Sequence, residues 1–517
     1  MLYHISNRDY DTSRLVSVLY GAPAPFRRWC LLSRLSQQWR AALASPQIIV
    51  MGVIFCSAVS AAAQYSTGRG IIDEHATGQN STMLSGSVAS GRATSEVLHL
   101  TLRDAVAQAL RYNLGTIESG ENARISRGQR LLALSQLLPQ IDAGASENVD
   151  QTSLSALGLE KVPNSPLPKV IGPYSYSTVD ATLNQSIVDL ESIQRLRAAR
   201  TAEQAAELSY QDILDAVTVA VGNGYLQIIE ANSRIQAQEA QVQDARALYD
   251  QARDEVEAGT APRIDLTNTA VQLHTEEYNL SIAQNDLAIA KLNLGRAIGL
   301  PLGQQFELAD QIPYSDIDPP TLEDALSLAY GSRSDFRAAL DSEKSAAETV
   351  SAAKAERLPV ATVSGSYGDT GATFGQSHGV FSFGAGVRVP IFTGGRIKGD
   401  ITQAEAELTQ RKAETENLRG QIDYDVRTAF LNLDAAKEQV TVANQNVELA
   451  NESLARSKDR FTSGVTDSVE VVQAEQAVAS ADDQYITSLY NHNLAKLALA
   501  RALGVARTDY TQYLGAK

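Results

Sequence analysis

The chain repeats itself, and a repeat of this length constrains the fold more than any other feature of the sequence. Leu100-Thr101-Leu102-Arg103-Asp104-Ala105 recurs as Pro320-Thr321-Leu322-Glu323-Asp324-Ala325, and Leu138-Pro139 recurs as Leu358-Pro359 at the same offset of 220. Further along the offset is 205. There Gly224-Tyr225-Leu226-Gln227 matches Ala429-Phe430-Leu431-Asn432, Gly259 matches Gly464, Asp265 matches Glu470, and Ala290-Lys291-Leu292 matches Ala495-Lys496-Leu497. The difference of about 15 residues is extra length in the first copy, and the Pro-rich stretch Val162 to Pro173 is where it fits.

Within each copy the hydrophobic period changes along the chain. Leu266, Leu273, Leu280, Leu287 and Leu294 fall every seventh residue, and Val471, Val478, Tyr485, His492 and Leu499 keep the same register. That spacing predicts a helical seam. Alanines 283, 290, 297, 474, 481, 495 and 502 let neighbouring helices approach closely. Upstream, Leu190 to Ala258 and Ile397 to Ser463 contain no proline and read as helices of roughly 100 Å each. Each ends near a glycine, Gly259 or Gly464, where the chain turns back into the seam helix. Strand signals lie only between Pro139 and Ile187 and between Pro359 and Ile391. Val360 to Tyr367 and Val380 to Val389 alternate with period two around a Gly-rich loop, so each copy holds one hairpin.

The N-terminus points to export. An apolar stretch from Ile48 to Ala63 ends in Ala61-Ala62-Ala63, follows Arg27, Arg28, Arg34 and Arg40, and reads as a signal peptide over residues 1–63. Ile54-Phe55 ahead of Cys56 lack the small residues of a lipid-modified cysteine. Removing that segment takes away Cys30, Cys56, Trp29 and Trp39, together with six of the 44 basic and two of the 60 acidic residues, which leaves a net charge of −20. No disulfide or thiolate metal site is then expected, and such acidity argues against nucleic acid as a partner. Residues 64–96, rich in Gly, Ser and Thr, read as a flexible leader. No later run reaches the length of a membrane-spanning helix, so any membrane insertion must use strands. Four strands cannot close a barrel, and open sheet edges cannot face lipid. Three chains would supply twelve strands, within the range of outer-membrane barrels.

These features together resemble the outer-membrane efflux protein family, the TolC-like outer membrane factors. The resemblance rests on Leu100-Thr-Leu-x-x-Ala at the helix start, Leu-Pro before each strand pair, Val389-Pro-Ile-Phe-Thr-Gly-Gly-Arg396 after the last strand, and the two glycine turns, and it spans residues 97 to 507. It implies a mainly α fold with a transmembrane β-barrel: a trimeric channel-tunnel with a 12-stranded barrel, four strands per chain, above a long coiled-coil α-barrel. The expected division is a first repeat over 97–300, an equatorial linker over 301–320, a second repeat over 321–507 and a C-terminal tail over 508–517. The implied location is the bacterial outer membrane with a periplasmic extension. Implied partners are two further copies of the chain in a homotrimer, outer-membrane lipid, a periplasmic adaptor (membrane fusion) protein and an inner-membrane pump of RND or ABC type. No cofactor is implied.

The resemblance also places a periplasmic gate. Its acidic rings fall on Asp265 and Glu470, while the further acidic position is Gln473 and the family's gating Tyr and Arg fall on Phe461 and Thr466. A tyrosine–guanidinium lock is therefore absent, and Arg263 is the candidate for a substitute salt link. Carboxylate rings on one axis repel anions and attract cations; without the resemblance, the same residues read as solvated acids near helix starts. Adaptor docking is expected at the tips, Gly259, Thr260, Ala261 and Pro262 in one turn and Gly464, Val465, Asp467 and Ser468 in the other. Tight turning alone also accounts for both glycines. Tyr367, Phe381 and Phe383 suit a lipid-interface girdle or simple packing. Histidines 4, 75, 99, 274, 378 and 492 are scattered without metal-ligand spacing, and no enzyme motif is found. The functional expectation is a passive conduit for small molecules in a tripartite efflux system. The alternatives are the exit duct of a type I protein secretion system, on the same fold, and a soluble periplasmic coiled-coil scaffold.

Overall fold

Each copy opens on a threonine that caps a short helix. Thr101 and Thr321 precede α1 (Leu102–Tyr112) and α5 (Leu322–Ser332), and in both the hydroxyl accepts from the Asp backbone N–H three residues on while donating to that Asp carboxylate at 2.7 Å. The computed structural model describes residues 84, 86–89, 91–156, 168–310, 314–317, 319–466 and 468–515, all within the unit Ala76–Lys517. The expected signal segment 1–63, the leader up to residue 83, Pro-rich residues 162–167 and Asp467 lie outside the described residues.

After α1 comes α2 (Leu114–Ser135), then the hairpin β2 (Gln140–Ser153) and β3 (Val170–Val188), the long α3 (Leu190–Glu257) and the return helix α4 (Arg263–Ile298). The second copy repeats the order: α5, α6 (Ser334–Ala355), β5 (Val360–Gly371), β6 (Ser377–Arg388), α7 (Arg396–Thr462) and α8 (Ser468–Ala502). The helices α3 and α7 have 68 and 67 residues. At 1.5 Å per residue each is roughly 100 Å long.

Buried positions keep the 205 offset of the sequence. Val217, Val221 and Ile228 sit in one cluster with Leu294 and Leu497, while Ile422, Val426 and Leu433 occupy the equivalent places in a second cluster with Phe336 and Leu499. The copies solve their helix breaks differently. Asn113 caps α2 through its Oδ1 and donates from Nδ2 to the Leu84 and Ala297 carbonyls, whereas the matching Arg333 is held by Asp335 and Asp425.

Three expectations need correction. The leader is not free to residue 96: Val88 and Leu114 exchange backbone hydrogen bonds with Tyr112 and Gly86, and Thr94 and Glu96 both bond Gln304. Asn113, buried in the fold, needs the Leu84 carbonyl of this segment to satisfy its amide. The 301–320 stretch is more than a linker, because β4 (Phe306–Leu308) pairs in parallel with β1 (Leu98–Leu100). The C-terminal tail begins inside a helix, α9 (Ala506–Leu514), whose Leu514 is fully buried in the first cluster.

The four long strands form one antiparallel sheet in the order β2-β3-β5-β6. Directly opposed residues share a face. One face carries Ile141, Ala143, Ala145, Leu183, Ala181, Val179, Val363, Tyr367, Phe381, Phe383 and Val387. The other carries Asp142, Asp180, Thr178, Thr370, Ser366, Ser382 and His378, with hydroxyl pairs at 3.3 Å (Thr178–Thr370) and 2.9 Å (Ser366–Ser382). The extra length of the first copy is concentrated here. Its hairpin spans 140–188 against 360–388, partly offset because Asp189 alone links β3 to α3 while residues 389–395 link β6 to α7. No helix among the described residues is long and apolar enough to cross a membrane.

Candidate functional site: the paired helix tips

Both long helices end in the same hydrogen-bonded turn. Gly259 and Gly464 have φ of +74° and +68°, a conformation in which an added Cβ is strained even where space is open. Around the first, the Thr260 N–H reaches the Glu255 carbonyl at 2.9 Å and the Gly259 N–H reaches Val256 at 3.1 Å; around the second, Val465 reaches Arg460 and Gly464 reaches Phe461, both at 2.9 Å. This six-to-one plus five-to-two pattern satisfies the last helix carbonyls and reverses the chain. Pro262, extended at φ −76°, starts α4 without a side-chain cap.

The two acidic positions sit in the first turns of α4 and α8, where a carboxylate favours the helix dipole. Their bonding differs. Asp265 Oδ1 accepts from the buried Ser468 hydroxyl at 2.8 Å, so it ties the first hairpin to the second. Glu470 stays within its own hairpin, accepting from Thr466 Oγ1 at 2.5 Å and lying 3.4 Å from Arg460 Nη1. Phe461 packs against Leu248, Leu454, Val471 and Ala474 beneath the turn. Gln473 is exposed, as are Thr260, Pro262, Arg263 and Val465, with Ala261 half-buried. Arg263 makes no ion pair among the described residues, and the guanidinium that meets Glu470 is that of Arg460.

Above the tips lies a polar layer that periodicity does not disclose. Glu276, buried, accepts from Gln238 Nε2 at 2.5 Å, Gln272 Nε2 at 2.6 Å and Asn279 Nδ2 at 3.3 Å, and Gln476 in turn donates to Gln272. Glu475 is also buried. Desolvation pushes its carboxyl up, while Lys458, 3.6 Å away and bonded to Asp244 at 3.0 Å, pulls it down. A groove of about 750 Å³ opens beside this layer, lined by Glu230, Arg234, Asp286, Asp482 and Asp483 among others. The available sequence signal is placement: Gln272 flanks the seam residue Leu273, and Glu276 follows it by three.

A second stripe also escapes the seam reading. Ile264, Val271, Tyr278 and Leu292 are exposed on α4 at multiples of seven, and Tyr424, Leu431, Val442 and Leu449 are exposed on α7. Spacings of seven and eleven are those of helix-packing seams, and these two stripes have no partner helix among the described residues.

The model of the outer membrane efflux protein family matches residues 122–300 and 325–505, one match on each copy of the repeat. The chain belongs to the outer membrane efflux protein family. Its relatives include outer membrane protein TolC of Escherichia coli, 21% identical over 72% of this chain and 76% of that one. Outer membrane efflux protein BepC of Brucella suis is 22% identical over 83% of this chain and 90% of its own length. The solved CmeC outer membrane channel of Campylobacter jejuni superposes with a TM-score of 0.70 at 16% identity, over 87% of this chain and 95% of that one. The fold is thus that of the TolC-like channel-tunnels, built on an internal duplication. As a member of this family the chain is a channel protein of the bacterial outer membrane with a periplasmic extension, not an enzyme. A soluble periplasmic scaffold is excluded by that location.

Proposed function

We propose that three copies of the chain form a passive duct for small molecules, closed at the paired helix tips and fed by a periplasmic adaptor and an inner-membrane pump. The observation that carries this reading is the four-stranded sheet, apolar on one face, hydroxyl- and carboxylate-lined on the other, with the outer edges of β2 and β6 unpaired among the described residues. Backbone groups on such edges need partners in lipid. Joining β6 of one copy to β2 of the next three times over closes twelve strands, with the polar face inside. The exposed stripes on α4 and α7 then supply the helix-to-helix contact below the barrel. Asp142 and Asp180 lie on the lumen face, and with the tip carboxylates they favour cations along the duct.

Energy comes from the pump, since a family channel has no reaction centre of its own. The tips Gly259–Pro262 and Gly464–Ser468 are the adaptor's docking points in this reading. The test is extraction and reconstitution. The protein is expected to require detergent, to run as a heat-modifiable trimer and to form pores in planar bilayers; recovery from aqueous buffer as a monomer or dimer without pores contradicts the reading.

A further inference from the structure

The sheet is too short on its outward face to fill a membrane unaided. Ala181, Tyr367 and Phe381 form one outward row, and the next rows away from the helices are Val179, Asp369, Gly379 and then Ser177, Gly371, Ser377. The apolar band of β5 and β6 therefore ends near Tyr367 and Phe381. From Phe381 to the last outward strand residue, Val387, the height is roughly 16 Å at a rise of about 3.4 Å per residue and a tilt of about 40°. An outer-membrane barrel presents an apolar band of about 25 Å. The shortfall lies on the periplasmic side.

The β6–α7 turn is built to make it up. The outward residues Phe381, Phe383, Ala385 and Val387 end with β6 at Arg388, and in the sequence the apolar alternation runs on through Val389 and Ile391, with Phe392 beside it. Ile391 and Phe392 are 94% and 91% exposed, the two most exposed large apolar side chains among the described residues. The chain from Val387 to Phe392 has the length to add at most about 12 Å of height, as much as extended backbone at that tilt would span.

The turn is also rigidly posed. Gly394 and Gly395 take φ of +62° and +93°, and Arg396 locks the bend through the buried Glu356 at 2.7 Å and Asp400 at 2.9 Å. Two cations flank it: Arg357, next to Glu356, and Lys398, two residues beyond Arg396, are exposed and meet no carboxylate among the described residues. An aromatic tip beside exposed cations is the pattern of a membrane–water boundary. The first repeat has no counterpart, because only Asp189 separates β3 from α3.

We propose that the β6–α7 turn is a lipid anchor, in which Ile391 and Phe392 enter the inner, phospholipid leaflet of the outer membrane and Arg357 and Lys398 meet its phosphates. The proposal rests on the channel reading and sets one anchor per protomer, under the second repeat alone. It is tested with a single tryptophan. Trp29 and Trp39 are the only tryptophans of the chain and both fall in the expected signal segment 1–63, so the exported protein is a silent background for Phe392→Trp, and for Phe383→Trp on the outward sheet face. The exported protein is reconstituted in phosphatidylethanolamine–phosphatidylglycerol vesicles carrying bromine either near the headgroups or near the chain ends. Tryptophan at 392 is expected to lose about half its emission to shallow bromine and clearly less to deep bromine, the signature of an interfacial ring. Quenching at 383 without quenching at 392 overturns the anchor while the channel reading stands; quenching at neither overturns both. In parallel, Ile391→Ser with Phe392→Ser is expected to leave the trimer intact in detergent. Loss of the trimer would show that a neighbouring copy, rather than lipid, covers the turn.

Discussion

Asp265 and Glu470 hold the same place in the two copies, yet one carboxylate crosses to the other hairpin and the other stays at home. Asp265 takes the Ser468 hydroxyl, while Glu470 is held by Thr466 and Arg460 of its own hairpin. A duplicated chain thus uses equal positions for unequal work: the first tip fastens the pair together, and the second stiffens itself. The same division recurs at the equator. Asn113 caps with an amide where Arg333 uses two carboxylates, and Tyr225 bonds the Leu100 carbonyl at 3.1 Å where its counterpart Phe430 has no hydroxyl to offer.

These differences can be broken one copy at a time. The largest effect is expected at Arg333, which is buried between Asp335 and Asp425. Arg333→Ala strands two carboxylates and is expected to cost about 3–5 kcal/mol. Asn113→Ala, which loses neutral hydrogen bonds, should cost about 2 kcal/mol. Thermal unfolding followed by circular dichroism in detergent ranks the two, and equal losses would erase the proposed distinction. On the α4 stripe, Val271→Asp is expected to shift the detergent-solubilised trimer toward monomer on a sizing column, while the same change at the exposed Gln473 on α8 leaves it alone. Smaller still, Tyr225→Phe should cost about 1 kcal/mol and Phe430→Tyr should gain nothing.

At one seam position the response to acid should belong to the second copy. His492, a seam residue of α8, is fully buried against the Tyr314 ring, and burial, with Lys496 and Lys437 adding to it against Asp316, lowers its pKa from 6.5 to about 4. Between those values the unfolded ring binds a proton that the folded one refuses. Its contribution is therefore complete above pH 6.5, falls as the pH drops toward about 4, and is constant below. His492→Leu is expected to flatten that part of the stability profile. The matching first-copy residue is Leu287, which does not titrate.

Periodicity made the large elements readable because they obey it: seven-residue seams, period-two hairpins, and glycines where φ must be positive. The unequal hairpins were readable as a change of offset. Partners of the tip carboxylates were not, since Ser468 meets Asp265 only after two hairpins pack, and no spacing along the chain encodes that meeting. Arg263, expected to form a salt link, stands exposed, and Arg460 on the opposite side of its own turn makes the contact with Glu470. The bound end of the leader was missed for a related reason. Gly- and Ser-rich sequence reads as flexible, but the buried amide of Asn113 requires the Leu84 carbonyl.

The paired tips are the centre of this account, and single-channel conductance in planar bilayers tests them most directly. Asp265→Ala with Glu470→Ala is expected to raise the open conductance several-fold over the unaltered protein, with Asp265→Ala alone giving most of the increase and Glu470→Ala little. Conductance unchanged in the double variant would contradict the assignment of the constriction to these residues, and equal single effects would contradict the division of work between the two copies.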